Sequence, residues 1–175
     1  THQFNLTELS SATDYVLRVE GRAIGSAVVS STIEGKFGTA PLPDEPARIV
    51  FASVTGTKYE DLDSPGDGFQ IHRTMLEMDV DFFVHTGDIL YYDAWAKNVD
   101  LARWGWARMF SLPTSVDFHR QIPTYFMKDD HDTWQDDTWP TQESTFMGDF
   151  TFQQGVEIFK EQVPMKDRTY RTFRW

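Results

Sequence analysis

The sequence predicts a mixed α/β (α+β) fold, a sheet flanked by helices and preceded by a partial β-sandwich. Three observations predict it. The first forty residues read as strands, and strand and helix patterns alternate from residue 48 onward. Two mainly apolar runs, Val80 to Val84 and Ile122 to Met127, each empty into carboxylates, the place where an open α/β sheet puts its active site.

Taken in order, His2 to Leu6 alternates, Tyr15 to Val19 is a β-rich run, and Ala27 to Phe37 completes a hairpin, giving three expected strands. The segment Leu9-Ser-Ser-Ala-Thr-Asp-Tyr-Val-Leu-Arg-Val19 resembles the L-x-P-x-T-x-Y-x-x-x-V signature of fibronectin type III domains, lacking only its proline. That resemblance implies that residues 1–40 are the last strands of such a sandwich, which needs about seven strands in all, so the chain is expected to begin inside a domain. Residues 41–47, Pro-Leu-Pro-Asp-Glu-Pro-Ala, are proline-rich and polar, the composition of a stiff linker.

Beyond the linker, residues 48–175 are expected to form the first part of a second domain. Arg48 to Ser53 reads as a short strand, and Phe69, Ile71, His72, Met75, Leu76 and Met78 recur at roughly helical spacing. Asp79 ends that helix, and Val80 to His85 is the next strand. Trp95 to Phe110 reads as one aromatic-rich helix stopped by Leu112-Pro113, and Ile122 to Met127 as a third strand. Gly155 to Val163 is a further helix, and Tyr170 to Trp175 alternates like a strand just beginning. Continuous apolar strands in this β-α-β-α-β order argue for a parallel or mixed sheet buried on both faces.

Lys and Arg total 16 against 27 Asp and Glu, a net charge of −11, which disfavours binding to nucleic acid or anionic membrane through bulk charge. A phosphate substrate would need local positive charge, which metal ions supply. There is no cysteine, so a disulfide framework and a thiolate zinc site are both excluded. No run approaches the ~18 apolar residues of a membrane span, and no signal-peptide core opens the chain.

Asp88 leaves the Val80–Val84 run in Thr86-Gly-Asp-Ile-Leu-Tyr-Tyr-Asp93, with Tyr91 three residues on as a phenolate ligand or a hydrogen-bond donor to substrate. The competing reading makes Asp88 a helix cap. The second run ends in Asp129-Asp130-His131-Asp132, with Asp136 and Asp137 close behind, a charge density that demands a cation or places acids on a helix dipole. Two carboxylate clusters at neighbouring strand ends favour a shared metal centre.

The ordered block Val80-Asp-Phe-Phe-Val-His-Thr-Gly-Asp-Ile-Leu-Tyr-Tyr-Asp, then Ile122-Pro-Thr-Tyr, then Asp-Asp-His-Asp, resembles the PhoD-like alkaline phosphatases of the calcineurin-like metallophosphoesterase superfamily. The resemblance implies a secreted, periplasmic or cell-surface hydrolase of phosphate mono- or diesters with two divalent or trivalent metal ions, iron and calcium among them. It implies Asp88 as the bridging ligand, Tyr91 and Asp130 as further ligands and His131 as the catalytic residue. Asp129, Asp132 and His85 then become groups that orient these. One departure is clear: Val54 stands where such proteins often carry a cysteine ligand, with Thr55 or Asp61 as the nearby substitutes. Later G-H and G-H-x-H histidines are also absent from these residues, so the 175-residue chain is expected to hold a partial site, and a non-catalytic binding module is the alternative. A single calcium site on Asp130, Asp132 and Asp136 ranks behind both. Trp95, Trp104, Trp106, Trp134 and Trp139 either line a substrate mouth or pack the core, and Arg103 and Arg108 either recognise phosphate or form a salt-bridged helix face.

Overall fold

The computed structural model describes residues 1–165 and 168–173. Strands β1 (Asp14–Arg22) and β2 (Val29–Gly38) pair antiparallel, with Tyr15 opposite Phe37 and their rings stacked at 5.3 Å. The Tyr15 hydroxyl accepts the Ser10 N–H at 2.8 Å. The expected strand at His2 to Leu6 does not form. Phe4 and Leu6 stay exposed, pairing with no strand, and Gln3 instead donates to the Lys160 and Glu161 carbonyls. Five alternating residues make no strand without an edge to pair with. The hairpin is fastened to the rest of the chain by Lys36 N–H donating to the Arg120 carbonyl at 2.8 Å.

Strands β3 (Phe51–Val54), β4 (Phe82–His85) and β5 (Thr124–Phe126) form a parallel sheet in the order β3-β4-β5. Val54 pairs with His85, and His85 with Phe126, so the three strands finish level with one another. Each is shorter than its apolar run because the flanking residues, including Val80 and Ile122, pack the core instead. Helices α1 (Gln70–Glu77) and α4 (Pro113–His119) pack against each other beside a small core of Met75, Val80, Phe83, Phe118 and Ile122.

A larger core gathers Ile89, Leu90, Tyr92, Trp106, Phe150 and Phe159 around α3 (Val99–Phe110) and α5 (Phe152–Gln162), which pack together. The expected single helix from Trp95 to Phe110 is two: α2 (Tyr92–Trp95), then α3, whose N-terminus is capped by the Asn98 side chain accepting from Leu101 N–H. Pro113 does not merely stop a helix; it starts α4, where its missing N–H costs nothing. Tyr170 to Phe173 forms no strand, and the last two residues of that expected strand lie outside the described residues. The Phe173 ring stacks on Tyr125 at 4.0 Å, covering the sheet with a side chain.

Helix α5 opens with a full capping box, Thr151 and Gln154 each bonding the other's backbone. Gly155 sits one turn in, and a Cβ there would run into the Thr133 carbonyl. Gly155→Ala therefore should not give the usual gain of an alanine in a helix. We expect it to lower stability by about 1–3 kcal/mol through overpacking, read as a lower urea midpoint; a variant as stable as the parent would show that the loop above α5 yields freely.

Candidate metal centre

Three loops leave the level strand ends and are bonded into one layer. The turn after β4 needs left-handed backbone at both Gly87 (φ 110°) and Asp88 (φ 55°), which glycine supplies freely and aspartate tolerates. Gly87 is also pressed against the loop after β5, since a Cβ there would lie 2.6 Å from Asp129 Cβ. The loop after β3 joins by Thr57, whose N–H donates to the Asp88 carbonyl at 2.8 Å and whose hydroxyl donates to the Ile89 carbonyl at 3.2 Å. With that proton committed, Thr57 accepts from His85 Nε2 at 2.9 Å, leaving His85 Nδ1 to accept the Gly87 N–H at 3.4 Å. His85 is buried and braces the loops from below without bonding Asp88.

Asp132 ties the other two loops together. It is fully buried, and its carboxylate accepts Ile89 N–H at 3.0 Å and Asp129 N–H at 2.6 Å. Burial pushes its carboxyl up to about 7, against the pull of those two donors. Asp129 itself is exposed, its carboxylate accepting the Asp130 N–H at 3.0 Å.

Asp88, Asp130 and His131 each present a ligand atom, and these atoms lie within 4.8 Å of one another. Asp88 Oδ2 accepts from the Tyr91 hydroxyl at 3.3 Å, whereas Oδ1 is buried and has no partner. Burial raises the Asp88 carboxyl; the charges of Asp129 and Asp130 raise it further, while His131 and the Tyr91 bond pull it back. Asp130 goes the other way: burial opposes, but N–H bonds from Asp137 and His131 outweigh it and hold the carboxyl low. Tyr91 is pushed up to about 12 by burial and by Asp88, so it stands as a phenol. Its ring lies 4.3 Å from that of His131.

His131 is held by a residue whose role sequence reading missed. Its Nδ1 lies 3.0 and 2.9 Å from the two carboxylate oxygens of Asp93, so Nδ1–H is donated there and Nε2 is left toward Asp136 at 3.5 Å. Burial lowers the His131 pKa, but the Asp93 bond and charge, followed by Asp88 and Asp130, raise it more. Asp93 stands five residues after Asp88 in the first turn of α2, and that short spacing was the available signal. Asp136 and Asp137 form a second potential group with Asp130.

The remaining candidates fall away from this cluster. Val54 ends β3 beside His85, Thr55 donates its hydroxyl to the Gly87 carbonyl at 3.3 Å, and Asp61 lies in a short 3-10 helix outside both acidic groups. Arg103 pairs with Glu161, and Arg108 pairs with Glu60 while stacking on Tyr59, Trp95 and Trp104. Trp106 and Trp134 are buried and bond Tyr92 and the Phe150 carbonyl. An apolar cavity of about 690 Å³ lies between the hairpin and α3, α4 and β5, away from the carboxylates.

No family model and no curated protein matches the sequence. Two solved structures are similar. PhoD superposes over 93% of this chain with a TM-score of 0.68 at 16% identity. The chain shares its fold with part of PhoD. It spans 35% of PhoD's length, and 26% of a purple acid phosphatase, PPD1 from yellow lupin (Lupinus luteus) seeds, which covers 87% of this chain with a TM-score of 0.57 at 15% identity. The mixed α/β architecture is thus shared with part of these two structures, and a group of Asp and His side chains that could hold a metal ion lies at its strand ends. No helix among the described residues is long and apolar enough to cross a membrane.

Proposed function

We propose that this chain carries part of a metal-dependent phosphoric ester hydrolase, a PhoD-like phosphomonoesterase or phosphodiesterase with a binuclear centre. The observation that carries the reading is the convergence of Asp88, Asp130 and His131 from two strand ends in a fold similar to that of two phosphatases. The donors fit a cation: Asp88 Oδ1 is buried and unpartnered, and its carboxyl is raised by burial and by acidic neighbours, a conflict that bound positive charge removes.

Asp88 and Asp130, with Tyr91 beside Asp88, would hold the ions. Bound ions would supply Lewis acidity and neutralise the phosphate ester in a protein of net charge −11. The chain's own part is positional. Asp132 locks the two loops so that Asp88 and Asp130 face each other, and Asp93 fixes the His131 ring so that Nε2, which lies 3.5 Å from the exposed Asp136 carboxylate, could turn its proton to a phosphoryl or leaving oxygen instead. Asp129 and His85 hold the backbone on which the ligands sit. The substrate is a phosphate ester, and a secreted or cell-surface protein is the setting we propose. Residues 1–40 would belong to a preceding β-sandwich.

Val54 favours a second reading, a metal-binding module without turnover, because an apolar side chain stands at the first strand end. Both readings are tested by loading the 175-residue chain with iron, calcium, manganese or zinc and assaying p-nitrophenyl phosphate and its bis ester. We expect metal uptake with little turnover. Rapid metal-dependent hydrolysis would remove the module reading and the expectation of an incomplete site, and a folded chain that takes up no metal would remove the hydrolase reading.

A further inference from the structure

Beside Asp130 the loop after β5 and helix α5 enclose an open cleft of about 540 Å³, within the size range of small-molecule sites. Asp129 and Asp130 form one end; Trp139 and Pro140 form one wall, and Phe152 and Val156 of α5 contribute another. The cleft and the Asp88–Asp130–His131 group therefore share a wall at Asp130. Trp139 is 53% exposed. The other tryptophans among the described residues are engaged: Trp95 meets Trp104 edge-on, Trp106 bonds Tyr92, and Trp134 bonds the Phe150 carbonyl. Trp139 alone of these has neither a ring contact nor a side-chain hydrogen bond.

We propose that this cleft receives the organic half of the phosphate ester and that a planar aromatic leaving group stacks on Trp139. The proposal rests on the functional reading above, which puts the phosphoryl group at Asp88, Asp130 and His131. A phosphoryl group held there has one ester oxygen able to point past Asp130 into the cleft. An aromatic group then meets an indole face flanked by proline and phenylalanine. A short alkyl group leaves that face in water. Lys128, at the Asp130 end, is occupied by the Thr133 hydroxyl at 3.1 Å and lies 5.9 Å over the Phe152 ring, so it closes the cleft's floor.

The test uses non-hydrolysable probes on the 175-residue chain. Calcium binding is measured first, and phenylphosphonate and methylphosphonate are then titrated by calorimetry with calcium present. Phenylphosphonate should bind about 3- to 10-fold more tightly, the range expected of one aromatic stack. Trp139→Ala should erase that preference and Trp139→Phe restore most of it, with calcium affinity unchanged in both. Equal affinity for the two phosphonates, or a preference that survives Trp139→Ala, overturns the cleft while leaving the metal centre standing. If calcium does not bind, the titrations are run with manganese, zinc or iron, and a folded chain that binds none of the four and no phosphonate overturns both.

Discussion

Asp88→Asn should abolish metal binding and, in the metal-free protein, raise stability. Loss of a residue that only orients a metal ligand typically costs 10–100-fold in affinity, so loss of a ligand carboxylate should cost at least ~100-fold. The apo effect has the opposite sign. Burial and nearby acids raise the Asp88 carboxyl, so the folded chain holds a proton that the unfolded chain has released, and apo stability falls as pH rises through that interval. An asparagine carries no charge to repel Asp129 and Asp130, and we expect a modest rise in the apo urea midpoint at neutral pH, limited by solvent screening.

Asp130→Asn should lose metal as well, yet destabilise the apo chain, because its carboxylate accepts N–H bonds from His131 and Asp137 that one amide oxygen cannot reproduce. Calcium or manganese calorimetry with apo and loaded urea melts checks both variants. Unchanged metal affinity in the pair would remove the site assignment.

The second large effect is acid unfolding driven by three histidines inside the fold. His72 and His85 are buried, and His119 packs against His72 with ring centroids 5.5 Å apart. Burial lowers His72 and His85 to about 4 and His119 to about 3, with His72 adding repulsion to the other two and Asp63 partly opposing the shift at His72. Their folded pKa values lie below the unfolded value of 6.5, so their stability is fully present above pH 6.5 and is lost as pH falls toward 4.

His72 and His85 each account for about 3 kcal/mol over that window at 1.36 kcal/mol per pKa unit, against a typical total of 5–15 kcal/mol. Asp132 works against them, because its raised carboxyl makes the native state more favourable as pH falls from about 7. Asp88 and His131, whose pKa values are also raised, oppose in the same direction, but the three strongly lowered histidines outweigh them, so urea midpoints should drop between pH 7 and pH 5. His72→Phe, which keeps the stack on Phe118 and removes a buried Nδ1 without a partner, should flatten the slope by about one proton. A midpoint independent of pH in this range would mean that the histidines are solvated.

Much of the strand and helix order was legible because periodicity is local. The runs around Phe82–His85 and Thr124–Phe126 announced β4 and β5, and the spaced apolar residues from Phe69 to Met78 announced α1. The failures share a cause, since each depended on a distant partner or a cap. His2 to Leu6 alternates without an edge to join, Asn98 divides a run whose apolar residues suggested one helix, and Pro113 opens a helix as readily as it ends one. In the site, the residue types were visible but their pairing was not. Asp132 was expected to orient the ligands, but only its burial against Ile89 and Asp129 shows how, as the clamp between loops. Asp93 carried no role of its own in the sequence reading, and its pairing with His131, 38 residues away, appears only in the fold.

The sequence by itself determined which chemistry the strand ends carry: Asp88 after β4, and Asp130 with His131 after β5, because a run of side chains and the residue that ends it are neighbours in the chain. Only the tertiary structure decided which of these groups face one another. That outcome follows from the parallel register of β4 and β5 and from backbone bonds across some forty residues, which are long-range constraints that no local pattern encodes.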